Sequence, residues 1–310
     1  MKNQPNPFFS LASLLLATLL TGGMTSLAET PQQTPPVAPT MTTFLGPKDF
    51  KGSWQPRRSD ANTGGQSTYH GRVVFTNIAR NIVEGVLPKD LRLAENRSPT
   101  PGLHPVVYLY GHQAKTTYVV KGQEIQIDTP YQELILLIPF VQLVDHEKWH
   151  NYVVRMYLNN RVARDIGNAY YGYAKRKATF EENFTEFTVL VGGRPAPAFQ
   201  ATVETLGPWQ TSKDAEGTLP HYRDIQTIFE MPVVGMHEVS GNPVCSYFEW
   251  KYDATEVAPV RSQHRFLRPF TRDMESWPTL GSLISVADGA IAIQKLQWRL
   301  KFPPDYSCEF

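Results

Sequence analysis

The chain has 310 residues, a formal net charge of +1 and 41% hydrophobic residues. A near-neutral charge supplies no positive field for nucleic acid, so we expect neither nucleic acid nor another polyanion as a partner. The length suits one large domain or two small ones, and it is ample to bury a core.

The N-terminus is typical of a secretory signal peptide. Lys2 precedes an apolar run over residues 8–20, and small residues at Ser26 and Ala28 predict cleavage after Ala28. The run is short for a membrane span, which needs about 20 residues, although an uncleaved anchor is the alternative. We therefore predict a signal peptide over 1–28 and an exported protein, periplasmic or secreted, with no membrane contact after cleavage.

The next segment, residues 29–45, is rich in Pro, Thr and Gln. It has too little apolar surface to fold, which predicts a disordered linker. The remainder, 46–310, is predicted to form one domain.

Strand-like runs separated by turn signals dominate that domain. The candidate strands are 106–110, 117–120, 124–127, 134–139, 152–158, 187–191, 199–205, 228–231, 246–252 and 291–300. Helical patterns are scarce, with 78–86 and 277–286 as the better candidates. Many short strands with few helices predict a mainly β barrel or sandwich.

One lysine stands out by its neighbours. Lys175 follows an aromatic, glycine-rich stretch over 167–173 and precedes Arg176 and Lys177. A lysine normally carries a proton, since its unperturbed pKa is about 10.4. Removal from water and neighbouring positive charge both lower that pKa, and a neutral amine attacks carbonyl groups to form a Schiff base. The alternative is a solvated basic turn after an aromatic strand.

A competing motif, His146-Glu147-Lys148-Trp149-His150, matches the H-E-x-x-H pattern. On a helix, His146 and His150 would share one face and bind zinc, with Glu147 as general base. Asp145 could cap such a helix, but the strict alternation of apolar residues over 152–158 equally favours a strand. Since no third ligand is marked, a zinc-dependent hydrolase is the third functional hypothesis.

The two cysteines, Cys245 and Cys308, are 63 positions apart (308 − 245). An even number of cysteines in an exported protein permits a disulfide. Two buried free thiols are the alternative, because sequence does not show the separation of the Cα atoms.

Several segments together resemble the acetoacetate decarboxylase family, over about 71–303. Those segments are Val73-Val74-Phe75-Thr76, residues 86–91, Pro130-Tyr131-Gln132-Glu133 with the apolar run after it, Met156-Tyr157-Leu158-Asn159-Asn160, Tyr173-Ala174-Lys175-Arg176, residues 188–193 and the last strand, 290–302. The resemblance implies a cone-shaped, closed β-barrel with a few short helices. It also implies a lyase that decarboxylates acetoacetate or a related small β-keto acid.

By the same resemblance, Lys175 is the Schiff-base lysine and Glu133 its acidic partner, both facing the interior. Arg176 would lower the pKa of Lys175, while Tyr131 and Tyr173 would line the pocket. The ligand would be a small keto acid or ketone, no metal or organic cofactor would be required, and a homo-oligomer is expected.

The chain also departs from the family pattern. Residues 167–169 read Gly-Asn-Ala where the family has Gly-Arg-Glu, and Ala174 replaces a proline. The family's arginine on its first strand has no secure counterpart. These departures remove charges that would bind a substrate carboxylate, so a non-catalytic barrel that binds a small ligand is the alternative function.

Overall fold

The computed structural model describes residues 60–94, 101–193, 196–219, 221–267, 285–303 and 308. The predicted signal peptide and linker lie outside these residues. Most of the candidate helix over 277–286 also lies outside them, and its last two residues begin a strand.

Fourteen strands lie within the described residues. They are β1 (Thr63–Ala79), β2 (Leu91–Leu93), β3 (Leu103–Val120), β4 (Gln123–Ile127), β5 (Tyr131–Leu143), β6 (His150–Leu158), β7 (Lys175–Glu182), β8 (Glu186–Val191), β9 (Phe199–Thr205), β10 (Gln210–Thr211), β11 (Val233–Met236), β12 (Pro243–Lys251), β13 (Glu256–Phe266) and β14 (Ser285–Lys301). The same residues contain four helices, α1 (Arg80–Glu84), α2 (Arg161–Tyr170), α3 (Ser212–Thr218) and α4 (Tyr222–Glu230).

The strands pair into two closed rings that share five members. One ring, the seven-strand ring, runs β1-β3-β5-β6-β11-β12-β14 and back to β1. The other, the nine-strand ring, leaves β6 through β7, β8, β9 and β13 and returns to β14. The rings separate because β6 and β14 each pair with different partners along their length. The predicted fold class, mainly β with a closed barrel and a few short helices, is confirmed.

The five shared strands each contribute to two hydrophobic cores, and β5 is buried on both faces along most of its length. Along β5, Tyr131 and Leu137 belong to one hydrophobic core, while Leu134, Leu136 and Ile138 belong to a second. Successive side chains of a strand point to opposite faces, so each shared strand supplies both cores. The first core lies inside the seven-strand ring and the second lies inside the nine-strand ring.

Most predicted strands are confirmed, with two corrections to the local structure. The prediction of a strand over 228–231 is wrong. Residues 228–230 are the last residues of helix α4, and Met231 is its C-cap. The aromatic stretch over 167–173 is not a strand, because residues 167–170 are the last four residues of helix α2. The first turn of α2 is capped by Asn160, whose side-chain oxygen accepts from Ala163 N at 2.9 Å. The candidate helix over 78–86 survives as the five-residue α1.

A disulfide joins Cys245 and Cys308, whose Cα atoms are 5.0 Å apart. It attaches the C-terminal tail to β12, and both residues are buried. The sequence left this pairing open, and the structure decides it. Across the described part of the chain, no helix has the length and apolar character that a membrane crossing requires.

Candidate active site

Lys175 is a buried residue at the start of β7. It pairs with Met156 of β6, and its side chain is turned into the seven-strand ring, where the residue is 3% exposed. The ammonium nitrogen Nζ donates to the main-chain oxygen of Ala163 in α2 at 3.1 Å. The alternative of a solvated basic turn is therefore wrong for Lys175.

Burial sets the charge state of this lysine. Loss of water lowers the pKa of Lys175 to about 8, although the nearby charge of Glu133 acts in the opposite direction. We predicted that Arg176 would contribute to this shift, and the structure corrects the cause. The guanidinium of Arg176 lies at the surface, where it forms an ion pair with Glu238.

Helix α2 makes room for Lys175 and holds its backbone. A Cβ atom on Gly167 would lie 2.4 Å from both Cδ and Cε of Lys175, so the lysine stem needs the missing side chain. The next residue, Asn168, accepts from Lys175 N at 2.7 Å and donates to Lys175 O at 3.0 Å. Gly167 and Asn168 thus position the lysine. Asn168 is one of the residues that depart from the family pattern, and Gly167 precedes it.

Glu133 faces the same interior from β5. It pairs with Leu158 on β6, two residues along from the Met156–Lys175 pair, so Glu133 and Lys175 flank β6 on either side. Glu133 is 2% exposed, and burial raises the pKa of its carboxyl. A hydrogen bond from Gln113 Nε2 at 2.6 Å and the charge of Lys175 both counter that rise.

Gln113 links this carboxylate to the barrel wall. Its Oε1 accepts from the indole Nε1 of Trp298 at 3.0 Å while its Nε2 holds Glu133. Both functional atoms of the amide are therefore engaged, which fixes its orientation. Sequence reasoning missed Gln113 and Trp298, because they are 185 positions apart and meet only when the ring closes.

Tyrosines surround the amine. The rings of Tyr118 and Tyr173 have their centroids 5.8 Å and 5.9 Å from Lys175 Nζ. The hydroxyl of Tyr118 bonds to that of Tyr131 at 2.9 Å, and the hydroxyl of Tyr173 bonds to Ser246 at 2.6 Å. Burial raises the pKa of all three phenols, so they remain protonated at neutral pH.

These groups line one cavity inside the seven-strand ring. The cavity has a volume of about 70 Å³, and its lining is mainly apolar. The lining includes four of the five residues predicted for the site, Glu133, Lys175, Tyr131 and Tyr173. Arg176 is not among them, and Lys175 is the one cation among the described residues that line the cavity.

The H-E-x-x-H stretch does not form a helix. His146 to Trp149 lie in a loop and His150 begins β6, so the two histidines do not share a helical face. His150 is buried, and burial lowers its pKa to about 4. The described part of the chain contains no group of three His, Cys, Asp or Glu residues placed to hold a metal ion. The helical zinc site predicted as the third hypothesis is therefore wrong.

The sequence matches no protein-family model, and no curated protein matches it. The structure is similar to that of acetoacetate decarboxylase from Legionella pneumophila, with 12% identity, a TM-score of 0.49, and coverage of 83% of this chain and 96% of that one. An acetoacetate decarboxylase-like enzyme from Sphingomonas wittichii RW1 aligns with 12% identity and a TM-score of 0.43, over 78% and 91% of the two chains.

A third similar structure is the enduracididine biosynthesis enzyme MppR complexed with pyruvate. It aligns with 12% identity and a TM-score of 0.45, over 77% of this chain and 87% of that one. These solved structures include members of the family that the sequence motifs resemble. What the present chain itself defines is a closed β-barrel with a buried lysine and a buried glutamate in its cavity.

Proposed function

We propose that this protein is a Schiff-base-forming enzyme in which Lys175 attacks the carbonyl carbon of a small ligand. The observation that carries the proposal is a fully buried amine whose pKa is lowered to about 8, inside a cavity. About one such amine in ten is neutral at pH 7, compared with fewer than one in a thousand at the ordinary pKa. Perturbed lysines in clefts are typical of functional sites.

The reaction we propose is the decarboxylation of acetoacetate or a related small β-keto acid. The neutral amine adds to the ketone, and the carbonyl oxygen leaves as water. The protonated imine draws the electron pair of the bond to the carboxyl group as carbon dioxide departs. The resulting enamine takes a proton at carbon, and water then releases the ketone and restores the amine.

Glu133 is the residue we assign to proton movement. Its pKa is raised by burial, so it holds a proton closer to neutral pH than an exposed glutamate does. The apolar lining also favours loss of charge, because a carboxylate deprived of water is destabilised relative to neutral carbon dioxide.

A non-catalytic barrel that binds a small ligand is the second candidate. It is favoured by one observation: apart from Lys175, the described residues that line the cavity include no cation to pair with a substrate carboxylate. Such a barrel would hold an uncharged carbonyl compound without turnover.

Borohydride trapping tests the proposal. The purified protein is incubated with acetoacetate or another small keto acid, reduced, digested and mapped by mass spectrometry. We expect an adduct on Lys175 that depends on the carbonyl compound and is lost in Lys175→Ala. Lys177→Ala, an exposed lysine two positions along, is the matched control and should be trapped as the unmodified protein is. A folded protein that yields no adduct with any carbonyl compound would support the binding barrel.

We also propose that the protein is exported. The signal-like N-terminus motivates this, and the Cys245–Cys308 disulfide supports it, because disulfides persist in oxidising compartments. N-terminal sequencing of the mature protein after cell fractionation tests it, with Glu29 expected as the first residue.

A further inference from the structure

One end of the Lys175 cavity has a different chemistry from the lysine itself. There, Phe229 of α4 stacks on Trp250 with ring centroids 4.7 Å apart, and Phe248 stacks on Trp250 at 5.2 Å. All three residues line the cavity. Trp250 is fixed by its Nε1, which donates to Phe229 O at 2.7 Å. The three rings form a preorganised aromatic wall.

The aromatic wall lies further along β12 than the residue that holds Tyr173. Tyr173, beside Lys175, bonds to Ser246 on β12, and Phe248 and Trp250 are two and four residues further along the same strand. At about 3.3 Å per residue, these are roughly 7 Å and 13 Å from Ser246 along the strand. A four-carbon keto acid bound as an imine on Lys175 is shorter than either distance, whereas a ring carried two carbons beyond the carbonyl extends toward Phe248.

Two rings of the aromatic wall lie nearer to solvent than the amine does. Phe248 and Trp250 are only partly buried, whereas Lys175 and Glu133 are 3% and 2% exposed, and Phe229 behind the two rings is 3% exposed. A ligand that enters past the rings would bring its carbonyl to the closed end and leave its remainder against the aromatic wall. Aromatic surfaces of this kind favour flat rings, through offset or edge-to-face contacts.

A polar acceptor without a partner is available near Phe229. Asn151 lines the cavity and is 2% exposed, and its amide nitrogen donates to Ile228 O at 2.6 Å. Its Oδ1 is buried and has no hydrogen-bond partner among the described residues. A buried acceptor without a donor is costly, so a ligand that brings a hydroxyl or N–H group would satisfy it.

We propose that the substrate is a carbonyl compound carrying a flat aromatic ring, with a hydrogen-bond donor on the ring. The carbonyl reaches Lys175, the ring lies against Phe229, Phe248 and Trp250, and the donor meets Asn151 Oδ1. This inference rests on the proposed Schiff-base chemistry, and it replaces acetoacetate as the preferred substrate by a carbonyl compound that carries a ring.

Matched ketones test the ring. The probes are butan-2-one and 4-phenylbutan-2-one, which share the methyl ketone and differ in the phenyl group. The amine and ketone form an imine and water, borohydride delivers hydride to the imine carbon, and the secondary amine is measured on Lys175 by mass. We expect 4-phenylbutan-2-one to reach half-maximal trapping at a concentration at least 10-fold lower than butan-2-one. Equal concentrations would overturn the proposal.

Variants locate the effect. Trp250→Ala should reduce the phenyl advantage at least 5-fold, while Trp250→Phe, which keeps a ring, should retain most of it. Trp209→Ala, an exposed tryptophan outside the lining, is the control. Circular dichroism confirms that each variant is folded. An advantage that persists in Trp250→Ala and in Phe248→Ala would overturn the assignment of the wall.

A third probe, 4-(4-hydroxyphenyl)butan-2-one, tests the donor. We expect the concentration for half-maximal trapping to fall by a further 3-fold or more, and Asn151→Leu should abolish this gain. No gain would overturn the donor assignment.

Failure of this inference is distinct from failure of the proposed function. Trapping of butan-2-one or acetoacetate on Lys175 without a phenyl advantage overturns the inference and leaves the Schiff-base proposal standing, whereas no trapping on Lys175 with any ketone overturns both.

Discussion

The stem of Lys175 occupies the space that a side chain on Gly167 would fill. A Cβ atom there would lie 2.4 Å from Cδ and Cε and 2.8 Å from Nζ, distances that packed atoms do not tolerate. The glycine sits inside helix α2, where its flexibility is a cost of about 1 kcal/mol relative to alanine. The presence of glycine at position 167 is therefore explained by the space that Lys175 needs, and not by the stability of the helix.

Gly167→Ala should displace Lys175 and reduce imine trapping at least 10-fold. The variant should also be destabilised by about 1–3 kcal/mol, because overpacking outweighs the gain in helix propensity. Gly217→Ala in α3, where a Cβ atom would meet nothing within 4 Å, is the matched control and should be neutral or slightly stabilising. Urea unfolding and trapping measure the two effects. Unchanged trapping in Gly167→Ala would show that the amine does not depend on this space.

The buried lysine makes stability depend on pH in a defined window. The pKa of Lys175 is about 8 in the folded protein and near 10.5 when unfolded, so between these values the unfolded chain binds more protons. Stability contributed by this group therefore rises with pH from about 8 to 10.5. Relative to Lys175→Met, the free energy of unfolding should rise by on the order of 3 kcal/mol across that window.

Parallel denaturant titrations of the two proteins measure this difference, since titrating groups that do not interact with Lys175 contribute equally to both. At pH 7 Lys175→Met should be the more stable protein, because it removes a buried charge. A difference that stays flat with pH would mean that the lysine is solvated.

The Gln113 amide controls the protonation of Glu133. Its hydrogen bond opposes the rise that burial imposes on the pKa of Glu133, so Gln113→Leu should raise that pKa further. The carboxyl stretch in infrared difference titrations reports the change, with Glu133→Gln used to assign the band. Trp298→Phe, which removes only the far partner of Gln113, should shift the band less. A band that titrates identically in Gln113→Leu would contradict the link.

The disulfide should contribute substantially to stability. It closes a loop of 63 residues, for which the chain-entropy model gives about 4 kcal/mol and measured cases about 2–4 kcal/mol. Reduction should lower the free energy of unfolding by that amount. A protein with both cysteines changed to alanine should be insensitive to reductant, which separates the bond from any other effect of the reagent.

Local pattern was enough to predict much of the β structure. Strict alternation of apolar residues over 152–158 predicted the strand that is β6, and the apolar run after Glu133 predicted the strand that is β5. The burial of Lys175 and Glu133 followed from the family resemblance rather than from any periodicity. Helix α2 was missed because Gly167, Asn168 and Tyr170 near its end have low helix propensity, while the signal that marks its start is the Asn160 cap.

The remaining site residues lay beyond local pattern. Nothing near Gln113 marks it as the partner of Glu133, and Phe229 was read as part of a strand rather than a helix. Asn168 stood in the sequence as a departure from the family pattern, and its role as a clamp on Lys175 appears only from the geometry. Ring closure, a property of the whole chain, brings such residues together.

The five strands shared by the two rings support the wall of the cavity from its other side. A void in a protein normally shrinks when its walls relax inward, but here the wall behind Glu133 is also the wall of a filled core containing Leu134 and Leu136. Inward movement would open a gap on the other side. The nine-strand ring therefore supports the cavity wall. The cavity keeps its shape when a ligand leaves, and the next ligand binds to the same geometry.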